Sequence, residues 1–173
     1  NGAEGGRQSP GVVLATQFTP EVRQALSAGG RVVLLAESGS LARPVRFTYW
    51  PEWIRQTGNV VEAHPALEGF PHDGFCAFQF LRLFGPGLEA VDLTQEGSAE
   101  RAGLTPIVWG LKLDYDPGQG LSWADPNHRW RIYRAGLLCE ARVGSGTLIV
   151  CSLRVLEGLR NHWPEAGHLL DCL

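Results

Sequence analysis

The chain has 173 residues, of which 44% are hydrophobic and 19% are charged, and its formal net charge is −3. This length and composition are typical of one soluble globular domain with a sizeable core, and are marginal for two domains. No apolar run approaches the roughly 18 residues of a membrane span. Because Lys112 is the only lysine and no basic cluster occurs, nothing favours nucleic acid or an anionic membrane as a partner.

The sequence contains no methionine, so it cannot begin at a native start codon, and we expect it to be a piece of a longer protein. A missing signal peptide therefore says little about compartment, although we expect the cytoplasm rather than secretion. The four cysteines lack zinc-binding spacing, and a core of this size does not need disulfides. We predict no structural metal and no cofactor, a flexible lead or linker over residues 1–10, and a single domain over residues 11–173.

The first elements predict a strand, a short helix and a second strand. Residues 11–15 and 31–36 are continuous apolar runs, which indicates two buried strands. Between them, residues 19–21 supply a threonine N-cap, a first-turn proline and a first-turn acid. The helix should end at the glycine pair 29–30. Strands without polar alternation are typical of a parallel sheet covered on both faces.

The rest of the chain is predicted to be mostly extended until its last helix. Further strands are predicted within residues 44–53, 59–62, 88–93, 105–113, 132–143 and 147–153. A segment rich in Pro, Gly, Asp and Asn predicts a long loop over residues 114–129. A helix is predicted over residues 164–170.

A Gly-Ser-Gly turn predicts a hairpin near the C-terminus. If the turn centres on Ser145, Cys139 faces Cys151 on one apolar face of the hairpin. Glu140 and Arg142 then point the other way. We interpret the two cysteines as packed core thiols rather than as a disulfide.

Nucleophilic catalysis would need an exposed cysteine or serine beside a base. The nearest approach to a cysteine elbow is centred on Cys76, but it lacks the second glycine and no strand precedes it. His162 and Glu165 invite a comparison with late His and Glu residues of amidotransferases. Proline at position 164 and the acid after it are better explained as the first turn of the last helix.

The stretch HPALEGFPHDGFCAFQF, residues 64–80, carries two histidines, an aspartate, a cysteine and four phenylalanine rings. A metal site at His64, His72 and Asp73 has suitable residue types but no recognisable spacing. A histidine before proline in a loop more often hydrogen-bonds to backbone. We therefore interpret the stretch as a structural connection into a short helix beginning near Asp73, with four buried phenylalanines as anchors: Phe70, Phe75, Phe78 and Phe80.

The six tryptophans suggest either a sugar-binding surface or a protein interface. Exposed rings stack on sugar faces, yet tryptophans are more often buried or at interfaces. For Trp50 and Trp53 we favour the interface. No two carboxylates are placed as a pair for glycoside hydrolysis among the candidates Glu37, Glu52, Asp114, Asp116 and Glu140.

The order GGRVVLLA, FTYW, HPALEGFPHDGFCAFQF, TPIV and GLLCEARVGSGTLIVCSL resembles the C-terminal region of some bacterial family 2 glycoside hydrolases. These are large, multidomain enzymes of the β-galactosidase type. The match covers roughly residues 11–173. Its most specific parts are HPAL…FP, the Phe78-Gln79 pair that follows, and the EARVGSGTLIVCSL hairpin.

The resemblance implies an α/β fold, a flavodoxin-like (class I glutamine amidotransferase-like) three-layer sandwich with a mostly parallel sheet and a C-terminal β-hairpin. It also implies an accessory domain without chemistry of its own, because the sugar-cleaving carboxylates of such enzymes lie in a separate barrel domain. Expected partners are the other domains of the parent hydrolase or a second copy of the chain. The ligand or interface candidates are then Trp50, Trp53, His64, His72 and Gln79.

Two other functions compete with the accessory domain. A carbohydrate-binding module would use loop tryptophans such as Trp50 and Trp53. A stand-alone cysteine hydrolase resembling an amidotransferase would use Cys76 and His162.

Overall fold

The computed structural model describes residues 11–37, 39, 41, 44–47, 59–85, 88–93, 103–114 and 131–173. The strands in these ranges are β1 (Val12–Ala15), β2 (Arg31–Leu35), β3 (Pro44–Phe47), β4 (Asn59–Val61), β5 (Leu88–Asp92), β6 (Leu104–Asp114), β7 (Arg131–Val143) and β8 (Gly146–Cys151). The helices are α1 (Pro20–Ser27), α2 (Val155–Arg160) and α3 (Pro164–Cys172), with 3-10 turns at Pro65–Leu67 and Phe78–Phe80. The predicted lead (residues 1–10) and the loop predicted beyond Asp114 lie outside the described residues.

All eight strands belong to one sheet, and β7 lies at its branch point. One edge of β7 pairs with β6, which also pairs with β4. The other edge pairs with β5 near residue 136 and with β8 from residue 138 onward, and β5 in turn pairs with β3. Beyond β8 the sheet continues through β2 and ends at β1.

The predicted mostly parallel, flavodoxin-like sandwich is wrong, because the sheet is mixed and mostly antiparallel. Among the described strands, the β1–β2 and β2–β8 pairs are parallel, whereas five pairs are antiparallel. The parallel part follows the prediction, since α1 is the crossover that a parallel pair requires. Buried antiparallel strands carry the same continuous apolar runs as buried parallel ones, so the runs did not reveal strand direction.

Helix α1 forms where the sequence predicts it and covers one face of the sheet. The Thr19 hydroxyl accepts a hydrogen bond from the Val22 amide at 3.4 Å, and Pro20 occupies the first turn. Val22 and Leu26 are buried. They pack on the side of the sheet that we name the α1 face, whose buried residues are Val32, Leu34, Leu148 and Val150.

The opposite side of the sheet, which we name the core face, carries the larger hydrophobic cluster. From the strands it includes Val33, Leu35, Ile149 and Cys151. Residues from the two 3-10 turns and from α2 and α3 cover these strands: Leu67, Phe80, Leu83, Val155, Ala166 and Leu169. The layering explains why β2 and β8 are buried on both sides.

A half-buried arginine links the covering segments of the core face. The Arg154 side chain forms an ion pair with Glu157 and donates a hydrogen bond to the Phe84 carbonyl at 3.3 Å. Its guanidinium also lies 5.3 Å from the ring centroid of Trp163. Arg154 therefore links the residues that follow the second 3-10 turn to α2 and to the start of α3.

The hairpin of β7 and β8 forms as predicted, but its register differs by one residue. Val143 pairs with Gly146, so the turn has two residues instead of three. Gly144 has φ +62°, as the first central residue of a type II′ turn requires. Cys139 consequently pairs with Val150 and Cys151 with Leu138. The two thiols lie on opposite faces, and Glu140 shares the core face with Ile149.

The turn is packed against the end of α1, and this contact generates a stability prediction. A Cβ atom at Gly146 would lie 2.5 Å from the Leu26 carbonyl oxygen and 2.6 Å from that of Gly30. Because backbone atoms cannot rotate away, we expect Gly146→Ala to reduce the free energy of unfolding by about 3 kcal/mol. The control is Gly167→Ala in α3, where the added methyl meets open space and should stabilise the helix by up to about 1 kcal/mol. Urea denaturation measures both; equal midpoints would contradict the packing described.

Candidate functional site

The stretch of residues 64–80 lies against the core face, and only part of it follows the prediction. Phe70 and Phe80 are buried, and their ring centroids are 5.1 Å apart. Phe75 is only partly buried, and Phe78 is 81% exposed and anchors nothing. The short helix begins at Phe78 rather than near Asp73. The reason is that the Gly74 carbonyl accepts a hydrogen bond from the Val61 amide at 2.9 Å, which keeps this part extended beside β4.

The polar candidates of this stretch hydrogen-bond within their own loop. His64 accepts a hydrogen bond from the Ala66 amide through Nδ1 at 3.1 Å, as expected for a histidine before proline. His72 likewise accepts from Gly74 at 3.3 Å, and Gln79 donates to the Pro71 carbonyl at 2.7 Å. Across the sheet, His64 Nε2 lies 3.6 Å from Glu140 Oε2. These side chains are engaged in holding the loop.

Of the remaining predicted site residues, the two tryptophans cannot be placed relative to this loop. Trp50 and Trp53 lie outside the described residues. The described part of the chain contains no group of three or more His, Cys, Asp or Glu side chains that could hold a metal ion. None of its helices is long and apolar enough to cross a membrane.

Three of the four cysteines are core thiols, and Cys172 is only partly buried. Burial raises the pKa of Cys76 to about 12. Burial also raises the pKa of Cys139 to about 12, with a smaller contribution from nearby Cys151, whose own pKa burial raises to about 12. All four cysteines are free. Since the thiolate is the nucleophile, the three buried sulfurs are protonated and unreactive at neutral pH.

His162 has a structural position at the junction of α2 and α3. It is exposed and has φ +56°, the left-handed conformation that commonly ends a helix. Its amide donates to the Leu159 carbonyl at 3.3 Å, and the Trp163 amide donates to Gly158 at 2.8 Å. These two bonds form a Schellman motif. As predicted, α3 begins at Pro164.

One polar cluster was not predicted from the sequence. The Trp109 indole nitrogen donates to Glu62 at 2.8 Å, and the Arg134 guanidinium lies 4.6 Å from the ring centroid. The three residues come from β6, the end of β4 and β7, so only strand register brings them together. Arg134 occupies a face of the ring on which a sugar would stack.

The most unusual surface lies along β1. The predicted burial of this strand is wrong, because Val12 and Leu14 are 55% and 54% exposed. Of the seven large apolar side chains that are exposed among the described residues, three lie on β1, namely Val12, Val13 and Leu14, and Leu159 lies on α2 beside them. The apolar run predicted a strand correctly, but such a run does not reveal whether the strand lies at an edge.

A groove of about 680 Å³ follows this edge, and we name it the edge groove. Its floor is formed by residues 13–15 of β1 and by the polar residues Thr16, Gln17 and Thr19 of the loop that follows. Its walls come from α1 on the α1 face and from α2 and α3 on the core face: Val22 and Ala25, then Leu156, Leu159 and Leu170. Glu21 is the only charged residue among those that line it. This arrangement suits an apolar, extended segment better than a polar small molecule.

Comparisons with known proteins do not add a family. No protein-family model matches the chain, and no curated protein matches it. The resemblance to family 2 glycoside hydrolases therefore stays a prediction from the quoted motifs, and function is argued from geometry.

The buried thiols predict how stability depends on pH. Their pKa values are about 12 in the folded chain, against an ordinary value of 9.0. Between those values the unfolded chain loses protons that the folded chain keeps, so unfolding becomes easier as pH rises. The stabilisation is complete below pH 9 and should decline by up to about 1.4 kcal/mol per pH unit for each thiol.

Urea denaturation from about pH 8 to about pH 11 measures this decline. Cys151→Ala is the control, because it removes one of the three thiols while leaving tyrosines and Lys112 in place. The free energy of unfolding of this variant should fall less steeply with pH than that of the unaltered chain. The difference should correspond to about one proton fewer released on unfolding. If the free energy of unfolding has the same slope against pH in both proteins, burial does not raise the pKa of Cys151.

The left-handed conformation of His162 generates a stability prediction. A left-handed conformation costs a non-glycine residue roughly 1–2 kcal/mol. His162→Gly should therefore raise the free energy of unfolding by about 1 kcal/mol, and His162→Ala should not. Thermal unfolding of both variants tests this; destabilisation by glycine would show that the imidazole itself makes a required contact.

Proposed function

We propose that this chain is a non-catalytic accessory domain whose role is to bind other protein. The edge groove carries the proposal, because it is an apolar surface with an open strand edge at its floor. Contiguous apolar patches are uncommon on monomeric proteins and mark interaction sites. Each half-exposed aliphatic side chain there forgoes on the order of 1 kcal/mol of burial free energy, which a bound partner would recover.

The parent that we propose is a larger glycoside hydrolase of the β-galactosidase type, acting in carbohydrate metabolism. This part of the proposal rests on the quoted sequence motifs alone. In that setting the sugar-cleaving carboxylates belong to another domain, and this chain contributes contacts with the parent or with an oligomeric neighbour.

The competing functions have less support. A cysteine hydrolase would need a thiolate near neutral pH, whereas burial raises the pKa of Cys76 to about 12. His162 lies in a helix-ending turn whose backbone bonds explain its conformation. A carbohydrate-binding module would use Trp50 and Trp53, which lie outside the described residues, and the described Trp109 has Arg134 stacked on its ring.

Activity assays test the absence of chemistry directly. We expect the purified chain to show no turnover of nitrophenyl galactosides or of glutamine above the buffer rate, and no change in tryptophan fluorescence across a panel of oligosaccharides. Turnover of either substrate would refute a non-catalytic role, and a saturable fluorescence change would favour the carbohydrate-binding alternative.

Thiol labelling tests whether Cys76 could be the nucleophile behind any turnover that is observed. Iodoacetamide at neutral pH should leave Cys76 unlabelled in the folded chain and label it after denaturation, because only the thiolate reacts. Rapid labelling of Cys76 in the folded chain would support the cysteine hydrolase.

A further inference from the structure

Strand β1 presents an open edge in the described part of the chain. It pairs with β2 through four consecutive residues and with no other described strand. Half of the peptide groups of such a strand point away from its single neighbour, and these groups form a template for another strand.

Strand β1 carries few of the usual devices that protect an edge strand, apart from its short length of four residues. Proteins also protect such edges with lysines, prolines, bulges, inward-pointing charges or a covering helix or loop. Residues 11–18 contain no charged residue and no proline, and the β1–β2 register runs from Val12 to Ala15 without a bulge. The edge is therefore well suited to being paired.

The walls of the edge groove are built to receive side chains from both faces of an added strand. Leu14 pairs with Val33 and so lies on the core face, where Leu159 and Leu170 form the wall. Val13 lies on the α1 face beside Val22. An added strand would lie about 4.8 Å beyond β1, and its alternating side chains would pack on these two walls.

We propose that the occupant of the edge groove is a second copy of this chain, whose β1 pairs antiparallel with the first β1 across a twofold axis. This inference rests on the proposed binding role and names its surface and partner. A twofold interface must be self-complementary. The uncharged stretch of residues 11–18 meets that requirement, because no like charges come to lie opposite each other.

The single charged lining residue also favours this arrangement. Glu21 lies beyond the carboxyl end of β1. In an antiparallel pair the two copies of Glu21 lie at opposite ends of the paired strands, at least about 13 Å apart for four residues. That separation exceeds the Debye length of about 8 Å at physiological salt, so their repulsion is screened.

The size of the groove sets the strength that we expect. The paired edge of β1 is four residues long, which is short for a standard interface of roughly 20–30 residues on each side. The dimer should therefore be reversible, with a dissociation constant in the micromolar range rather than the nanomolar range.

Sedimentation velocity over a concentration series from about 1 µM to about 500 µM tests the proposal. The mass should rise reversibly from one chain of 18.9 kDa toward twice that value. Leu14→Lys places a charge near the twofold axis in both copies and should weaken association at least about tenfold. The matched control is Leu111→Lys in β6, at a leucine that is 48% exposed, and it should leave association unchanged.

A second variant guards against a folding defect in β1. Leu159→Lys alters the α2 wall of the groove without touching the strand, and it should also weaken association while circular dichroism stays unchanged. A monomer at every concentration would overturn the proposal, and so would a dimer that Leu14→Lys does not weaken or that Leu111→Lys weakens equally. A monomeric chain that remains inert in the activity assays would refute the dimer and leave the accessory role standing.

Discussion

Strand β7 is the constraint on which the rest of the sheet depends. It is thirteen residues long, pairs with β6 along one edge, and divides its other edge between β5 and β8. The parallel strands β2 and β1 reach the sheet only through β8. The β7–β8 turn also packs on α1, where the Ser145 hydroxyl donates to the Ser27 carbonyl at 2.9 Å. Because β1 is joined to β7 only through β2 and β8, the pairing of β8 with β7 determines where β1 and the edge groove lie.

Local signals in the sequence predicted local structure well. The residues around Thr19 specify the start of α1 because their side chains satisfy its free amides, and the two following glycines accompany its end. The prediction of the hairpin turn was right in place and wrong by one residue in register, because Gly-Ser-Gly permits either a two-residue or a three-residue turn. That one residue moves Cys139 and Cys151 to opposite faces.

Features that depend on distant parts of the chain were not predictable from the sequence. Apolar runs gave the positions of strands but not their direction, so a mixed sheet was predicted as parallel. The run of residues 11–15 resembles a buried strand, and only the strand order shows that it lies at an edge. Phe78 was expected in the core with its neighbours. The chain instead bends at Gly74 with a positive φ, Phe75 bridges to Val60, and the 3-10 turn begins only at Phe78, which stays exposed. The backbone hydrogen bond of His64 was predicted from the proline that follows it, whereas the edge groove was not predicted.

The chemistry and the surface support the same interpretation of function. Burial keeps the sulfurs that would have to react protonated, and the side chains of His64, His72 and Gln79 are hydrogen-bonded to backbone. What the described chain offers instead is an uncharged strand edge between two apolar walls. The role that we propose for such a domain in a larger enzyme is assembly.

Hydrogen exchange of the β1 amides as a function of protein concentration tests this claim most directly, because only pairing of the open edge adds hydrogen bonds there. Deuterium uptake of the peptide covering residues 11–18 should slow as concentration rises, while uptake over residues 104–111 stays constant. Uptake at β1 that is independent of concentration would show that the edge remains unpaired and would contradict the account.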